Sequence, residues 1–530
     1  MVIETNSKAN EIKATKKGGF MTIQRKILGG VFILLLFLSC GSLAIADKCT
    51  DLATVTPLVP YGGAVITGAT MVPASATMPA YCSVTATVGK KTDTDPQMDI
   101  EVWLPETWHK RLLHIGGGGF DGVMGIENAM ANPVFRSNYV EKPLQKGFAL
   151  AASNGGHRGT SSIDSSFLAL FDYSMTQDYA HTAIGTTVRV AKALIADYYG
   201  ERPRYSYFWG CSNGGRGAFN AAAKYAHEYD GVMAFAPSRN MPGLSSAWME
   251  FAPAVILTPG KIATIKNAAL AACDRLDGIN DGIISNPDAC TFNPANLLCQ
   301  GTPDDSCLTV DEIAIVKKIQ SDLRLQDGSL VYSRTGFGEL SWAWGYGTLG
   351  PGYVDLMTFQ DPNYSDWDLN KDYPKLVQVL DGAYGCSGET DALARYLNEG
   401  RKMIVFHGTD DTLLSHYDTA RTFYEVTDAA DHRGKQNAKM YTAAGVGHCV
   451  GGPGADTFDM IGPITDWVEH RKEPGTLLSS KVDPSNGSVL FTRPLCEYPG
   501  YPRYKGHGSP NDAASFYCKY PKDRKCQDRD

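Results

Sequence analysis

A mostly parallel β-sheet with helices on both faces, interrupted by a large insertion, is the architecture predicted for this 530-residue chain. Three observations predict it. Short apolar runs closed by glycine recur with helical stretches between them; the rhythm stops after Pro237 and resumes at Lys402; and a glycine-flanked serine stands between an apolar strand and a helix. The length agrees, because single cores stop growing at roughly 250–300 residues.

Composition narrows the class. A hydrophobic share of 43%, a charged share of 20% and an aromatic share of 10% exclude a disordered, collagen-like or multi-span membrane chain. Fifty-five glycines and 28 prolines, without a repeat period, favour turns and structured loops over a helical bundle. With 49 basic against 57 acidic residues the net charge is −8, and no basic stripe collects phosphates, so a nucleic-acid binder is excluded.

The N-terminus reads as a secretory signal peptide over residues 1–46. Arg25 and Lys26 precede an uncharged run, Ile27 to Ala46, whose centre Val31 to Leu38 is wholly apolar, and Ala44-Ile45-Ala46 offers a cleavage site. An uncleaved anchor helix and lipid attachment through Cys40 are the alternatives, and Met21 is an alternative start. Cleavage removes six basic and two acidic groups from the 49 and 57, leaving a mature charge of −12. The mature protein is expected to be secreted or periplasmic, without a membrane span. Twelve cysteines remain beyond Cys40, enough for six disulfides in an oxidising compartment.

The elements follow in order. Strands are expected at Arg111–Ile115, Phe148–Ser153, Tyr205–Trp209, Val232–Ala236, Met403–Phe406 and Met440–Ala443, and helices at Tyr179–Tyr199 and Gly215–Tyr229. The main domain thus occupies 47–239 and 402–530, the latter including a C-terminal tail, with a lid domain at 240–401.

Gly210-Cys211-Ser212-Asn213-Gly214 is the sharpest chemical signal. A nucleophile elbow needs glycine two before and two after the serine, because the strand-to-helix turn leaves no room for side chains, and it exposes the hydroxyl above the helix N-terminus. Gly215 supplies further room. A plain glycine-rich turn is the bland alternative. A serine so placed needs a base and an acid, and in α/β-hydrolase folds the chain order is serine, acid, histidine. His407-Gly408-Thr409-Asp410-Asp411 follows the Met403–Phe406 strand, so Asp411 is the candidate acid and Asp410 the alternative, with turn or capping chemistry as the bland reading. Gly445-Val446-Gly447-His448-Cys449 follows the next strand and makes His448 the candidate base, with His407 and His416 lining or supporting the acid turn.

The developing oxyanion needs preorganised N–H donors. Gly116-Gly117-Gly118-Gly119 follows an early strand, so one donor is expected from Gly118 or Gly119 and the other from the amide of Asn213. The run lacks the spacing of a nucleotide loop.

A cysteine adjoins both the candidate nucleophile and the candidate base. In Cys211-Ser212 and His448-Cys449 the chain resembles the tannase and feruloyl esterase family, and the resemblance extends from about Cys49 to Cys518. It implies a disulfide Cys211–Cys449, which would hold the two Cα atoms within about 7 Å and close a long loop worth about 5 kcal/mol in the chain-entropy model. It further implies Cys49–Cys82, Cys273–Cys290, Cys299–Cys307 and Cys496–Cys518. Cys386 and Cys526 have no family counterpart, and pairing them would bring the tail onto the lid.

Between Cys273 and Cys290, Asp274-Arg275-Leu276-Asp277-Gly278-Ile279-Asn280-Asp281-Gly282-Ile283 alternates carboxylates with glycine turns. Carboxylates this close repel one another unless a hard cation sits among them. The segment is similar to the family's calcium loop, which implies Asp274, Asp277 and Asp281 as side-chain ligands, with the carbonyls of Ile279 and Ile283, for a structural calcium ion. A disulfide-closed turn without metal is the alternative. No organic cofactor is expected.

Trp342, Trp344, Tyr346, Tyr353, Phe359, Tyr364 and Trp367 either sandwich a flat acyl group or form a lid core. Family members acting on terephthalate monoesters use a lid arginine for the free carboxylate; Arg334 is the only arginine between Tyr332 and Leu393 and precedes the aromatic cluster. The expected function is a secreted serine esterase acting on feruloyl, galloyl or terephthaloyl esters through an acyl-enzyme on Ser212. A broader hydrolase or thioesterase is the runner-up, and a silent hydrolase-like binding protein the reading from another class.

Overall fold

The computed structural model describes residues 48–57, 63–89, 98–336, 343–385 and 389–521. The expected signal segment 1–46 with Cys40, the Cys386 and Cys526 pair, and Trp342 lie outside them. The described strands, in chain order, are β1 (Ala64–Val72), β2 (Tyr81–Val88), β3 (Met98–Pro105), β4 (Arg111–Ile115), β5 (Phe148–Ser153), β6 (Tyr205–Cys211), β7 (Gly231–Phe235), β8 (Leu323–Arg324), β9 (Leu330–Tyr332), β10 (Lys402–Gly408), β11 (Ala438–Ala443), β12 (Leu477–Val482), β13 (Val489–Glu497), β14 (Tyr501–Tyr504) and β15 (Phe516–Lys519).

Eleven of these form one sheet in the order β1-β2-β3-β5-β4-β6-β7-β10-β11-β13-β12. From β5 to β11 every pairing is parallel, and the flanking strands join antiparallel. The fold is thus of the α/β-hydrolase type expected. Strands buried on both faces carry apolar residues without polar alternation, and successive side chains still divide between two cores. Phe208, Val232, Ala234, Met403 and Val405 face one. Tyr207, Trp209, Met233, Phe235, Ile404 and Phe406 face the other. Helices Ala183–Tyr199, Asn213–Lys224 and His416–Ala429 cover the first face, and Ile461–His470 covers the second.

Element boundaries moved for local reasons. β7 ends at Phe235 rather than Ala236, whose φ of 36° takes it out of the strand. The helix after the serine begins at Asn213, two residues earlier than predicted, and stops at Lys224 because Tyr225 leaves helical geometry. The helix predicted from Tyr179 opens as a π-helical turn, Asp178–Thr182, before the α-helix Ala183–Tyr199, which Gly200 closes with φ 80°.

The described residues between β7 and β10 are mainly helical and include one small antiparallel pair, β8 and β9. Their core, including Leu244, Trp248, Tyr346, Tyr353 and Leu376, is shared with Phe120, Phe167 and Tyr179 from outside the insertion. Conversely, Leu393, Tyr396 and Leu397 on helix Thr390–Asn398 pack into the main core. The described lid aromatics follow the core reading: Tyr346 and Tyr353 are buried, and Phe359 stacks on Tyr364 with ring centroids 4.1 Å apart. Disulfides join Cys49–Cys82, Cys273–Cys290, Cys299–Cys307 and Cys496–Cys518, with Cα separations of 5.7, 5.1, 4.9 and 5.6 Å. These are the pairings the family resemblance implied. No helix among the described residues is long and apolar enough to cross a membrane.

Candidate active site

Ser212 stands between β6 and the helix Asn213–Lys224 with φ 60° and ψ −120°, a strained backbone for a residue with a side chain. Such strain costs on the order of 1–3 kcal/mol and persists only where the surroundings enforce it. Here close backbone packing enforces it. A Cβ at Gly210 would lie 2.5 Å from the carbonyl of Gly214, one at Gly214 would lie 2.5 Å from Gly117 O, and one at Gly215 would lie 2.4 Å from Phe235 O. The serine amide donates to Phe235 O at 2.9 Å, which ties the turn to β7.

Of the two acid candidates, Asp411 reaches the histidine. His448 Nδ1 lies 2.7 Å from Asp411 Oδ2, and His407 Nε2 lies 3.1 Å from the same oxygen. Asp411 Oδ1 accepts from the amides of Leu413 and Leu414 at 3.0 and 2.9 Å. Burial opposes the charge of Asp411, but His448, His407 and their hydrogen bonds outweigh it and hold the carboxyl below the ordinary carboxylate range. Asp411 is therefore not the cap of the following helix: that helix is His416–Ala429, and Ser415 Oγ caps it by accepting from Tyr417 N and Asp418 N. Asp410 is tied through its amide to Val446 O at 2.9 Å. The acid turn and the histidine loop touch so closely that a Cβ at Gly408 would lie 2.2 Å from Val446 O.

Cys211 and Cys449 are bonded, with Cα atoms 6.1 Å apart, as the resemblance implied. Ser212, His448, Gly118 and Gly119 line one cavity of about 370 Å³. Its apolar walls include Phe135, Ile163, Trp209, Leu349, Leu413 and Val450. Asn213 is the first residue of its helix, so its amide is among those that no intrahelical carbonyl can take up. Serine, histidine and both expected oxyanion segments therefore meet at one place.

His114, His157 and His407 serve the fold. Burial lowers His114 to about 3 and His157 to about 4; His114 Nδ1 is 2.7 Å from the Tyr229 hydroxyl, and His157 stacks on Phe167. His407 is fully buried, with Nδ1 2.9 Å from Thr419 Oγ1, so it supports the acid rather than lining the cavity. Sequence reasoning missed Asp121, Tyr179 and Arg216, which lie behind the glycine run. The only hint was a carboxylate two residues after Gly119. Phe135 and Trp209 as cavity walls were also missed, since neither belongs to the aromatic-rich stretch. Arg334 lies off the cavity, paired with Asp288 at 3.3 Å and stacked over Tyr417.

In the expected calcium loop, Asp274 and Asp277 are buried, and Asp277 Oδ2 has no hydrogen-bond partner. Asp274 accepts from the amides of Asp281 and Gly282 at 3.2 and 2.9 Å. Asp281 Oδ2 takes Arg493 Nη2 at 2.6 Å, which draws one carboxylate of the set toward the C-terminal strands. Among the described residues no three His, Cys, Asp or Glu side chains converge as a metal cluster. A hard cation served partly by backbone carbonyls needs fewer carboxylates, and the orphaned Asp277 oxygen fits it.

The chain is similar to known proteins of one family. A family model described as tannase and feruloyl esterase matches residues 82–346 and 354–519. Mono(2-hydroxyethyl) terephthalate hydrolase of Piscinibacter sakaiensis is 28% identical, over 84% of this chain and 86% of that protein. Feruloyl esterase B of Aspergillus niger is 27% identical, over 82% and 86%. Among solved structures, feruloyl esterase B from Aspergillus oryzae shares the fold with a TM-score of 0.77 at 24% identity, covering 90% of this chain and 100% of that one. Tannin acyl hydrolase from Aspergillus niger does so with a TM-score of 0.71 at 22% identity, covering 90% and 96%.

Removing the Cys211–Cys449 bridge tests how the site is held. The Cys211→Ala/Cys449→Ala variant should lose about 2–5 kcal/mol in denaturant unfolding, and its kcat should fall by more than its KM changes.

Proposed function

The chain belongs to the tannase and feruloyl esterase family and is a carboxylic ester hydrolase; from that premise we propose that it cleaves esters of aromatic acids through an acyl-enzyme on Ser212. The observation that carries the reading is the 2.7 Å contact of His448 Nδ1 with Asp411, at the cavity Ser212 also lines. With Nδ1–H held by a buried carboxylate, Nε2 is the nitrogen left to act as base. It takes the Ser212 proton as Oγ attacks the ester carbonyl. The oxyanion is met by the amides of Asn213 and of Gly118 or Gly119. His448 returns the proton to the departing alcohol, and water repeats the sequence to release the acid. Ser212→Ala should abolish turnover, and Asp411→Asn should lower kcat about 10⁴-fold; undiminished hydrolysis by the serine variant would sink the assignment.

The cavity supports a narrower substrate class. Its lining combines the aromatic residues Trp209 and Phe135 with the polar groups of Asn128, Asn132 and Ser162, which suits a phenolic ring. No Lys or Arg is among the described lining residues, and residues 337–342 contain none in sequence. Neutral feruloyl or galloyl esters are therefore favoured over an ester acid with a free carboxylate. In a panel of methyl ferulate, methyl gallate and mono(2-hydroxyethyl) terephthalate, kcat/KM for the terephthalate should be lowest, by about tenfold or more, since an unpaired buried charge costs at least ~1.4 kcal/mol.

Export to the periplasm or medium is supported by the five disulfides among the described residues. A structural calcium ion at Asp274, Asp277 and the carbonyls of Ile279 and Ile283 is supported by the orphaned Asp277 oxygen, with Asp281 joining the set only by giving up its ion pair with Arg493. When bound it supplies positive charge to crowded carboxylates and takes no part in the ester chemistry. Chelation should lower Tm by about 5 °C or more, calcium should restore it, and Asp277→Ala should make Tm indifferent to both.

A further inference from the structure

Behind the cavity a chain of buried polar groups ends on the backbone segments expected to hold the oxyanion. Asp121 Oδ1 accepts from Asn213 Nδ2 at 2.7 Å. The amide of Asp121 donates to Gly118 O at 2.9 Å, closing the turn that follows the glycine run. Asn213 Oδ1 in turn accepts from Arg216 Nε at 2.7 Å, so both ends of that carboxamide are engaged. Arg216 is anchored by the carbonyls of Ala180 and Tyr179 at 2.6 and 3.1 Å, and the Tyr179 hydroxyl returns to Gly119 O at 2.8 Å. The polar groups thus form a closed circuit through Gly118, Gly119 and Asn213.

We propose that Asp121 is a positioning residue for the oxyanion site: it fastens the Asn213 end of the serine turn to the glycine loop and so sets the spacing of the two donor segments. Its carboxylate is wedged in place. A Cβ at Gly117 would lie 2.8 Å from Oδ1 and one at Gly155 would lie 2.3 Å from Oδ2, so the group has no alternative position without backbone movement. The residue holds the left-handed region, with φ 52°, which a non-glycine keeps only under such constraint. Burial pushes the carboxyl up to about 6, while the Asn213 hydrogen bond and the Arg216 charge pull the other way. Oxyanion donors act only if held at the position charge will occupy, so loosening their spacing raises the barrier without weakening ground-state binding.

The inference rests on the esterase reading above, and the experiment separates the two. Asp121→Ala should lower kcat about 10- to 100-fold, less than outright loss of a donor, with KM within about twofold when rates are normalised to the burst amplitude of a p-nitrophenyl ester. Asn213→Ala, which keeps the amide but cuts the other end of the brace, should show a similar loss. The double variant should be no worse than either single one, because the two residues act as a unit. Asp121→Asn, which retains an acceptor, should recover part of kcat. A boronic acid that adds to Ser212 should weaken in parallel with kcat/KM, whereas the product acid should bind as before. If Asp121→Ala fails to fold, Asn213→Ala and Asp121→Asn carry the same comparison. Wild-type kcat in these variants, or a loss accounted for by reduced burst amplitude alone, would overturn the brace. Activity surviving in Ser212→Ala would instead overturn the underlying esterase reading.

Discussion

The disulfide between Cys211 and Cys449 sets the distance between two pieces of chain 238 residues apart, one ending in Ser212 and the other in the loop of His448. Triad chemistry tolerates little misplacement, because a shift of about 1 Å can cost on the order of a hundredfold in rate. In a long hydrolase chain the serine turn rests on β6 while the histidine follows β11, three strands away across the sheet. Sheet hydrogen bonds hold that separation only through the intervening β7 and β10. A covalent link between the residues beside Ser212 and His448 acts directly, and the interlocked Gly408 and Val446 backbones add a second restraint at the Asp411 turn.

Close approach of backbones is the other theme of the site. Gly116, Gly117, Gly210, Gly214 and Gly215 interlock so that Cβ atoms at four of them would come within 2.8 Å of a neighbouring backbone or carboxylate atom. Glycine here brings β4 and β6 together at their carboxyl ends, where open α/β sheets gather functional groups. The result is a serine on a strained backbone beside a glycine run whose position is over-determined.

The insertion closes this region without being a separate body. Its core takes in Phe120, Phe167 and Tyr179, and the Tyr179 hydroxyl contacts both Gly119 O and the Tyr353 hydroxyl. Tyr353 belongs to the insertion, so packing over the cavity and the geometry of the glycine loop share one set of contacts. The cavity walls accordingly come from the main domain, the insertion and the histidine loop together.

Much of this was legible in the chain itself. Apolar runs closed by glycine reveal the parallel strands because burial on both faces leaves no polar alternation to confuse them. The spacing of Gly210, Ser212 and Gly214 reveals the elbow because only glycine fits there, and the cysteines beside Ser212 and His448 carry the resemblance that pairs them. What linear order could not supply was proximity. Asp410 and Asp411 are adjacent and chemically alike, and only the folded turn aims one of them at His448. In sequence the lid aromatics suit a binding wall or a lid core equally; folded, Tyr346 and Tyr353 belong to the core, while Phe135 and Trp209 reach the cavity from elements that carry no such pattern. Asp121, Asn213 and Arg216 become a unit only when β4, β6 and the following helix are brought together. Local spacing encodes backbone geometry; side-chain partnership depends on distances that tertiary packing alone sets.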